Sequence, residues 1–175
     1  PVTPDANHAR PISWLVMGTA PINACRNRIA VYMLAQLTSR AKNMTSQTIR
    51  ISLPGAGGRM GGMLVSEIAK ADDLRLVVAT DRVGSPHIGL DAGVLAGIGP
   101  TDVLVGSDPA SLFSDSDVVI DFSAPEASLQ HALLAAETGT AIVIGTTGLN
   151  AEQEAVLRHA ATQTAIVYCA NTSVG

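Results

Sequence analysis

Four short runs in this chain hold residue types that could do chemistry. The first, Gly55-Ala56-Gly57-Gly58-Arg59-Met60-Gly61-Gly62, leaves an apolar run and enters a helical pattern. A helix N-terminus offers unpaired backbone N–H groups and the positive end of the helix dipole, so an anion binds there if no side chain blocks its approach. Glycines remove that block. Strict GxGxxG spacing fails because Met60 holds the third glycine position, and the turn reads better as Gly55-x-x-Gly58-x-x-Gly61, a cradle for a dinucleotide's pyrophosphate. About twenty residues further on, the next apolar run ends in Thr80-Asp81-Arg82, where a nucleotide-binding fold places the acid that accepts hydrogen bonds from the adenosine ribose. Asp81 is the candidate acid. Arg82 offers a cation for a 2′-phosphate or a plane to stack on adenine, so NADH and NADPH are both compatible with the pair.

The other two runs are Gly145-Thr146-Thr147-Gly148 and Cys169-Ala170-Asn171-Thr172. Taken by themselves, the hydroxyls of Thr146 and Thr147 read as partners for local turn amides. His8, His87, His131 and His159 read as solvated or packing residues, since none has an evident acid or nucleophile partner in the sequence. Cys169 reads as a small strand-end residue. The lysines are Lys42 and Lys70, neither near a motif. Cys25 and Cys169 lie far apart without CxxC spacing, which points to neither a disulfide framework nor a zinc site and fits a reducing cytoplasm.

The elements that must position these runs follow from the periodicity. Ile49 to Leu53, Leu74 to Ala79, Val103 to Val105, Val118 to Ile120, Ala141 to Ile144 and Ala165 to Tyr168 are short and apolar on both faces, as strands covered by helices on both sides must be. Helical patterns at Arg59 to Lys70, Pro109 to Phe113, Pro125 to Thr138 and Ala151 to Thr162 lie between most of them. Pro109 and Pro125 stand where helices begin, Asp108 and Asn150 can cap, and Gln153 completes a capping box with Asn150. Alternating strand and helix predict an α/β fold, a Rossmann-like doubly wound parallel sheet with helices on both faces. Residues 83 to 101, with five glycines, form the one long connection, and loops of that length are usually functional or mobile.

The 175 residues suffice for one domain, and 47% apolar with 3% aromatic residues suits an alanine- and valine-rich core. A net charge of -4 argues against a general nucleic-acid or anionic-membrane surface, and no apolar run approaches the roughly 20 residues of a membrane span. The expected partner is a small molecule. From Ala6 to Ser66 there is no acidic residue, whereas acids recur from Glu67 onward. Residues 1–47, with a helical pattern over Asn27 to Lys42, read either as a transit-peptide-like leader or as upstream sequence before a true start at Met44. The dinucleotide-binding domain is expected over 48–175.

From about Ile49 to Gly175 the sequence resembles the dihydrodipicolinate reductase family. The resemblance is carried by the glycine turn, by Asp91-Ala92-Gly93 with Leu95-Ala96-Gly97 in the long loop, by Val119-Ile120-Asp121-Phe122-Ser123 with Pro125-Glu126, by Gly145-Thr146-Thr147-Gly148, and by Ala170-Asn171-Thr172-Ser173-Val174-Gly175. It implies NADH- or NADPH-dependent reduction of 4-hydroxy-tetrahydrodipicolinate to tetrahydrodipicolinate, in the diaminopimelate route to lysine. It implies that Gly55, Ala56, Gly57, Gly58, Arg59 and Met60 hold the pyrophosphate and that Asp81 and Arg82 hold the adenosine end. On the nicotinamide side it implies Gly145, Thr146 and Thr147 with Cys169, Ala170, Asn171 and Thr172, and Thr147 also meets substrate. Departures from the family pattern are Pro54 directly before Gly55, Ala124 in place of a frequent arginine, and Thr172 where an aromatic residue is common.

The family's second domain supplies a histidine-rich segment, a lysine and a Gly-Thr pair for the substrate, and it carries most of the contacts of the homo-oligomer, a tetramer. The chain stops at Gly175, where the family crosses into that domain, and is expected to be a fragment with no catalytic residue of its own and little turnover alone. Two other readings remain: another two-domain amino-acid dehydrogenase, against which the Asp-Ala-Gly and Gly-Thr-Thr-Gly segments argue, and a non-catalytic nucleotide-sensing module.

Overall fold

The computed structural model describes residues 48–169 and, as a backbone strand, residues 15–17. The strands are β1 (Leu15–Met17), β2 (Ile49–Pro54), β3 (Leu74–Thr80), β4 (Val105–Gly106), β5 (Val118–Asp121), β6 (Ala141–Ile144) and β7 (Ile166–Tyr168). The α-helices are α1 (Arg59–Lys70), α2 (Ala92–Leu95), α3 (Pro125–Thr138) and α4 (Ala151–Ala160), with a 3-10 helix at Pro109–Phe113. Every strand pairs in parallel, in the order β1-β7-β6-β5-β2-β3-β4. The chain therefore runs outward from β2 through β3 to β4, then returns to β5 on the other side of β2. That reversal is a topological switch point, and it opens a crevice beyond the carboxyl ends of β2 and β5.

Period-two alternation divides the central strand β5 between two cores. Val118 and Ile120 of β5 pack with Leu64, Val65 and Ile68 of α1 on one face, whereas Val119 packs with Ala132 of α3 and Leu157 of α4 on the other. The buried stripes have helical spacing: Gly61, Leu64, Val65 and Ile68 in α1, and Ser128, His131, Ala132 and Ala135 in α3. Helices thus cover both faces of a buried parallel sheet, the doubly wound arrangement expected from the sequence.

The caps agree with their sequence signals. Asp108 accepts from the Ala110 N–H, Asn150 and Gln153 form a reciprocal capping box, and α3 stops at Gly139 in the left-handed region (φ 72°). Element bounds move by one or two residues: α4 ends at Ala160 rather than Thr162, and the strand expected over Val103 to Val105 is Val105–Gly106. The segment at Pro109–Phe113 is a 3-10 turn.

The long connection is ordered by one carboxylate. Asp91 accepts from the N–H groups of Gly93 and Val94, capping α2, and from the N–H and hydroxyl of Thr101 at 3.0 and 3.2 Å. It thereby ties the far end of the loop to its middle. Strand β1 was not expected: Leu15–Met17, within the segment read as an extension, pairs with Ile166–Tyr168 at the sheet edge. The helix expected over Asn27 to Lys42 and the start at Met44 lie outside the described residues.

Candidate functional site

Strands that all run parallel bring their carboxyl ends to one edge, so the sequence motifs line up there by strand order rather than by sequence distance. Asp81 and Arg82 follow β3, the glycine turn follows β2, Phe122 and Ser123 follow β5, Gly145 to Thr147 follow β6 and Cys169 follows β7. Five adjacent strands at ~4.8 Å spacing make an edge about 19 Å long, the shape of a site for an extended ligand. A cleft of about 680 Å³ opens at the switch point, with Gly55, Gly57, Gly58, Asp81 and Arg82 on one side and Phe122, Ser123, Ala124 and His131 on the other.

The glycine turn is built for close approach. Gly55 has φ +68°, a left-handed conformation that disfavours other residues. Gly58 is the N-cap of α1 and brings no side chain to satisfy the first-turn N–H groups, which leaves them directed at the space before the helix. A Cβ on Gly61 would lie 2.4 Å from the Gly55 carbonyl oxygen and 2.6 Å from the Ala56 Cα, so this glycine lets α1 seat against the turn. Pro54 donates no hydrogen bond, and the Ala56 N–H resumes pairing with β3 through the Thr80 carbonyl at 3.0 Å. Ala56 is buried, whereas Arg59 and Met60 are exposed and do not line the cleft.

At the end of β3, Asp81 is held by its own loop. One oxygen accepts from the Arg82 N–H at 2.8 Å; the other accepts from the Ser85 hydroxyl at 2.9 Å and lies 3.2 Å from His87 Nδ1. Burial alone would raise the Asp81 carboxyl, but the hydrogen bonds from His87, Arg82 and Ser85 outweigh it and hold the group below its ordinary value. His87 lies against the turn: a Cβ on Gly57 would stand 1.9 Å from its Nδ1 and 2.6 Å from Asp81 Oδ2.

On the other side of the cleft, Asp121 is fully buried at the end of β5, facing α3. His131 Nδ1 lies 2.8 Å from one of its oxygens, and the Ser123 N–H and hydroxyl donate to the other at 2.8 and 2.6 Å. Burial raises the Asp121 carboxyl and the His131 and Ser123 contacts more than reverse that, so the net shift is downward. The reading of His87 and His131 as histidines without acid partners is corrected by both contacts. The missed signal was positional: His131 falls on the apolar stripe of α3, where an unpartnered imidazole would be costly.

The Gly-Thr-Thr segment divides in two. A Cβ on Gly145 would come within 2.1 Å of the Phe122 ring, so this glycine makes room for the ring that lines the cleft. Thr146 is buried and shares a 2.7 Å hydrogen bond with Ser128 Oγ, so its hydroxyl faces α3. Thr147 is exposed. The Cys169 N–H extends the β6 pairing by donating to the Ile144 carbonyl at 2.9 Å, with its side chain buried. Ala170, Asn171 and Thr172 lie outside the described residues. Among the described residues there is no His, Cys, Asp and Glu group that could hold a metal ion, and no helix long and apolar enough to cross a membrane.

Residues 49–172 match the family model described as dihydrodipicolinate reductase, N-terminus. The chain is 50% identical over 126 residues to the 4-hydroxy-tetrahydrodipicolinate reductase of Acinetobacter baumannii, covering 72% of this chain and 46% of that protein. Against the enzyme of the same name from Alkalilimnicola ehrlichii it is 47% identical over 128 residues, covering 73% and 48%. The chain thus spans about half the length of the curated relatives it matches. Among solved structures, the dipicolinate-bound dihydrodipicolinate reductase from Paenisporosarcina sp. TG-14 is similar with a TM-score of 0.57 at 22% identity, over 71% of this chain and 48% of that one. The WlbA dehydrogenase from Bordetella pertussis, in complex with NADH and UDP-GlcNAcA, is similar with a TM-score of 0.56 at 17% identity, over 72% and 36%. At these identities the likeness to solved structures is one of fold.

Proposed function

Because this chain belongs to the dihydrodipicolinate reductase family, whose N-terminal domain it matches, we propose that it is the cofactor-binding half of an enzyme that reduces 4-hydroxy-tetrahydrodipicolinate to tetrahydrodipicolinate with NADH or NADPH. The observation that carries this reading is the side-chain-free N-cap of α1 at the switch point, with Asp81 beside the glycine turn on the same side of the cleft. An anion can reach the first-turn N–H groups there, and no side chain need move aside.

In this reading the backbone of Gly55 to Met60 holds the pyrophosphate, with Arg59 and Met60 contributing main-chain rather than cleft-lining side-chain atoms. Asp81 and Arg82 hold the adenosine end. Gly145 to Thr147, with Cys169 to Thr172, lie toward the nicotinamide, and the exposed Thr147 hydroxyl is the atom offered to substrate. The nicotinamide, when bound, supplies the hydride; a proton is taken up and the substrate's hydroxyl leaves as water, which balances the reduction. What this chain contributes is orientation: Phe122, seated on Gly145, and Ser123, anchored on Asp121, shape the wall beside the turn. A separate part of the enzyme places the dicarboxylate, so turnover by this chain alone is expected to be negligible.

The test is a fluorescence titration of the purified chain with NADH and NADPH beside an Asp81→Ala variant. Saturable binding that the substitution changes selectively between the two nucleotides supports the assignment. A folded chain that binds neither nucleotide refutes it.

A further inference from the structure

An acid at the end of the second strand of a nucleotide fold ordinarily selects NADH, because it accepts hydrogen bonds from the ribose hydroxyls and repels a 2′-phosphate. Here that acid is largely occupied. Of the roughly four lone-pair directions on a carboxylate, Asp81 commits one to the Arg82 N–H, one to the Ser85 hydroxyl and one to His87. The ribose diol therefore finds only a remnant of the usual acceptor. The His87 ring meanwhile lines the cleft against Gly57, between the acid and the phosphate-binding turn.

The polarity of the ring follows from its neighbours. Ser85 Oγ donates to Asp81 Oδ2 at 2.9 Å, so at 3.2 Å from the same oxygen His87 Nδ1 serves as a donor, and its 3.3 Å approach to Ser85 Oγ is to a lone pair. With Nδ1 committed, Nε2 is the ring atom left for a ligand. A 2′-phosphate placed beside Asp81 would then meet two donors that offset the carboxylate, the exposed Arg82 guanidinium and, in the imidazolium form, the His87 Nε2–H.

We infer that His87 is a specificity-determining residue of the adenosine subsite, which with Arg82 accepts the 2′-phosphate and turns the site from NADH toward NADPH. This rests on the cofactor reading above. His87 is not a catalytic residue, for it lies at the adenosine end of the cleft, away from the strands that lead to the substrate.

Adenosine 2′,5′-bisphosphate and AMP isolate the subsite, since they differ by the 2′-phosphate alone. Their binding to the wild-type chain, His87→Ala and His87→Gln is measured by calorimetry, with circular dichroism verifying the fold. Wild type is expected to favour the bisphosphate, and both variants to lose about tenfold of that preference while AMP changes by no more than about twofold, as for the loss of one charge-assisted hydrogen bond. An unchanged preference, or an equal loss of both compounds, overturns the inference and leaves His87 a packing residue over Gly57. Failure of the wild-type chain to bind either compound or NADH would instead overturn the cofactor reading, and is seen before any substitution is made.

Discussion

His131 Nδ1 and Asp121 Oδ2 stand 2.8 Å apart beneath the carboxyl end of β5, joining α3 to the central strand through a carboxylate with no solvent exposure. The same carboxylate anchors Ser123 through its second oxygen, so one buried charge sets the position of the residue that lines the cleft.

His131→Leu is therefore expected to cost far more than its lost contact area. It leaves Asp121 buried with only Ser123 as donor, and breaking one side of a buried pair typically costs about 3–5 kcal/mol. Urea unfolding of the variant, alongside Asp121→Asn and the double variant, reads the coupling; the double variant should be less destabilised than the sum of the two single ones. A His131→Leu loss below about 1 kcal/mol would remove the dyad from any structural role.

Acid should unfold the chain through these same carboxylates. Asp81, Asp117 and Asp121 are all held below their ordinary values, Asp117 chiefly by its hydrogen bond from Arg50, Asp81 and Asp121 by contacts that outweigh burial. Their unfolded forms titrate near 3.9, so their contribution is fully present above that value and is lost as pH falls through the lower folded values. Stability measured between about pH 5 and 2 should fall with decreasing pH, because the unfolded state binds more protons there, and Asp121→Asn should flatten the fall. A slope unaltered in that variant would assign the acid sensitivity to other groups.

Two adjacent glycines of α1 should respond oppositely to alanine. At Gly61 a Cβ meets the Gly55 carbonyl and Ala56 backbone at 2.4 and 2.6 Å, and backbone there cannot give without moving the turn. Gly61→Ala should lose about 1–3 kcal/mol by overpacking and weaken nucleotide binding as well. At Gly62 the nearest outside atom is 3.8 Å away, so Gly62→Ala should gain up to about 1 kcal/mol from helix propensity and leave binding unchanged. Thermal unfolding of the two variants decides this, and equal behaviour would contradict the close seating of α1 on the turn.

Much of this protein is legible in its sequence because the relevant signals are local. Strand and helix periods, the prolines at helix starts, the Asn150–Gln153 capping box and the glycine turn each depend on residues within one or two helical turns of each other, and the observed elements agree with them to within a residue or two. Parallel order then follows from the alternation of strands and helices, and with it the gathering of the motifs at one edge. The tertiary structure alone decided the partners of polar groups distant in the chain or folded back on it. Asp121 and His131 are ten residues apart, on a strand and a helix; Thr146 meets Ser128 of α3, eighteen residues earlier in the chain; Asp91 closes its loop on Thr101. His87, thirty residues after Gly57, lies over it because the connection that follows β3 folds its imidazole back onto the turn. No sequence period encodes such meetings: they are set by which face each side chain presents after packing, and a buried polar group must take whichever partner that packing brings within reach.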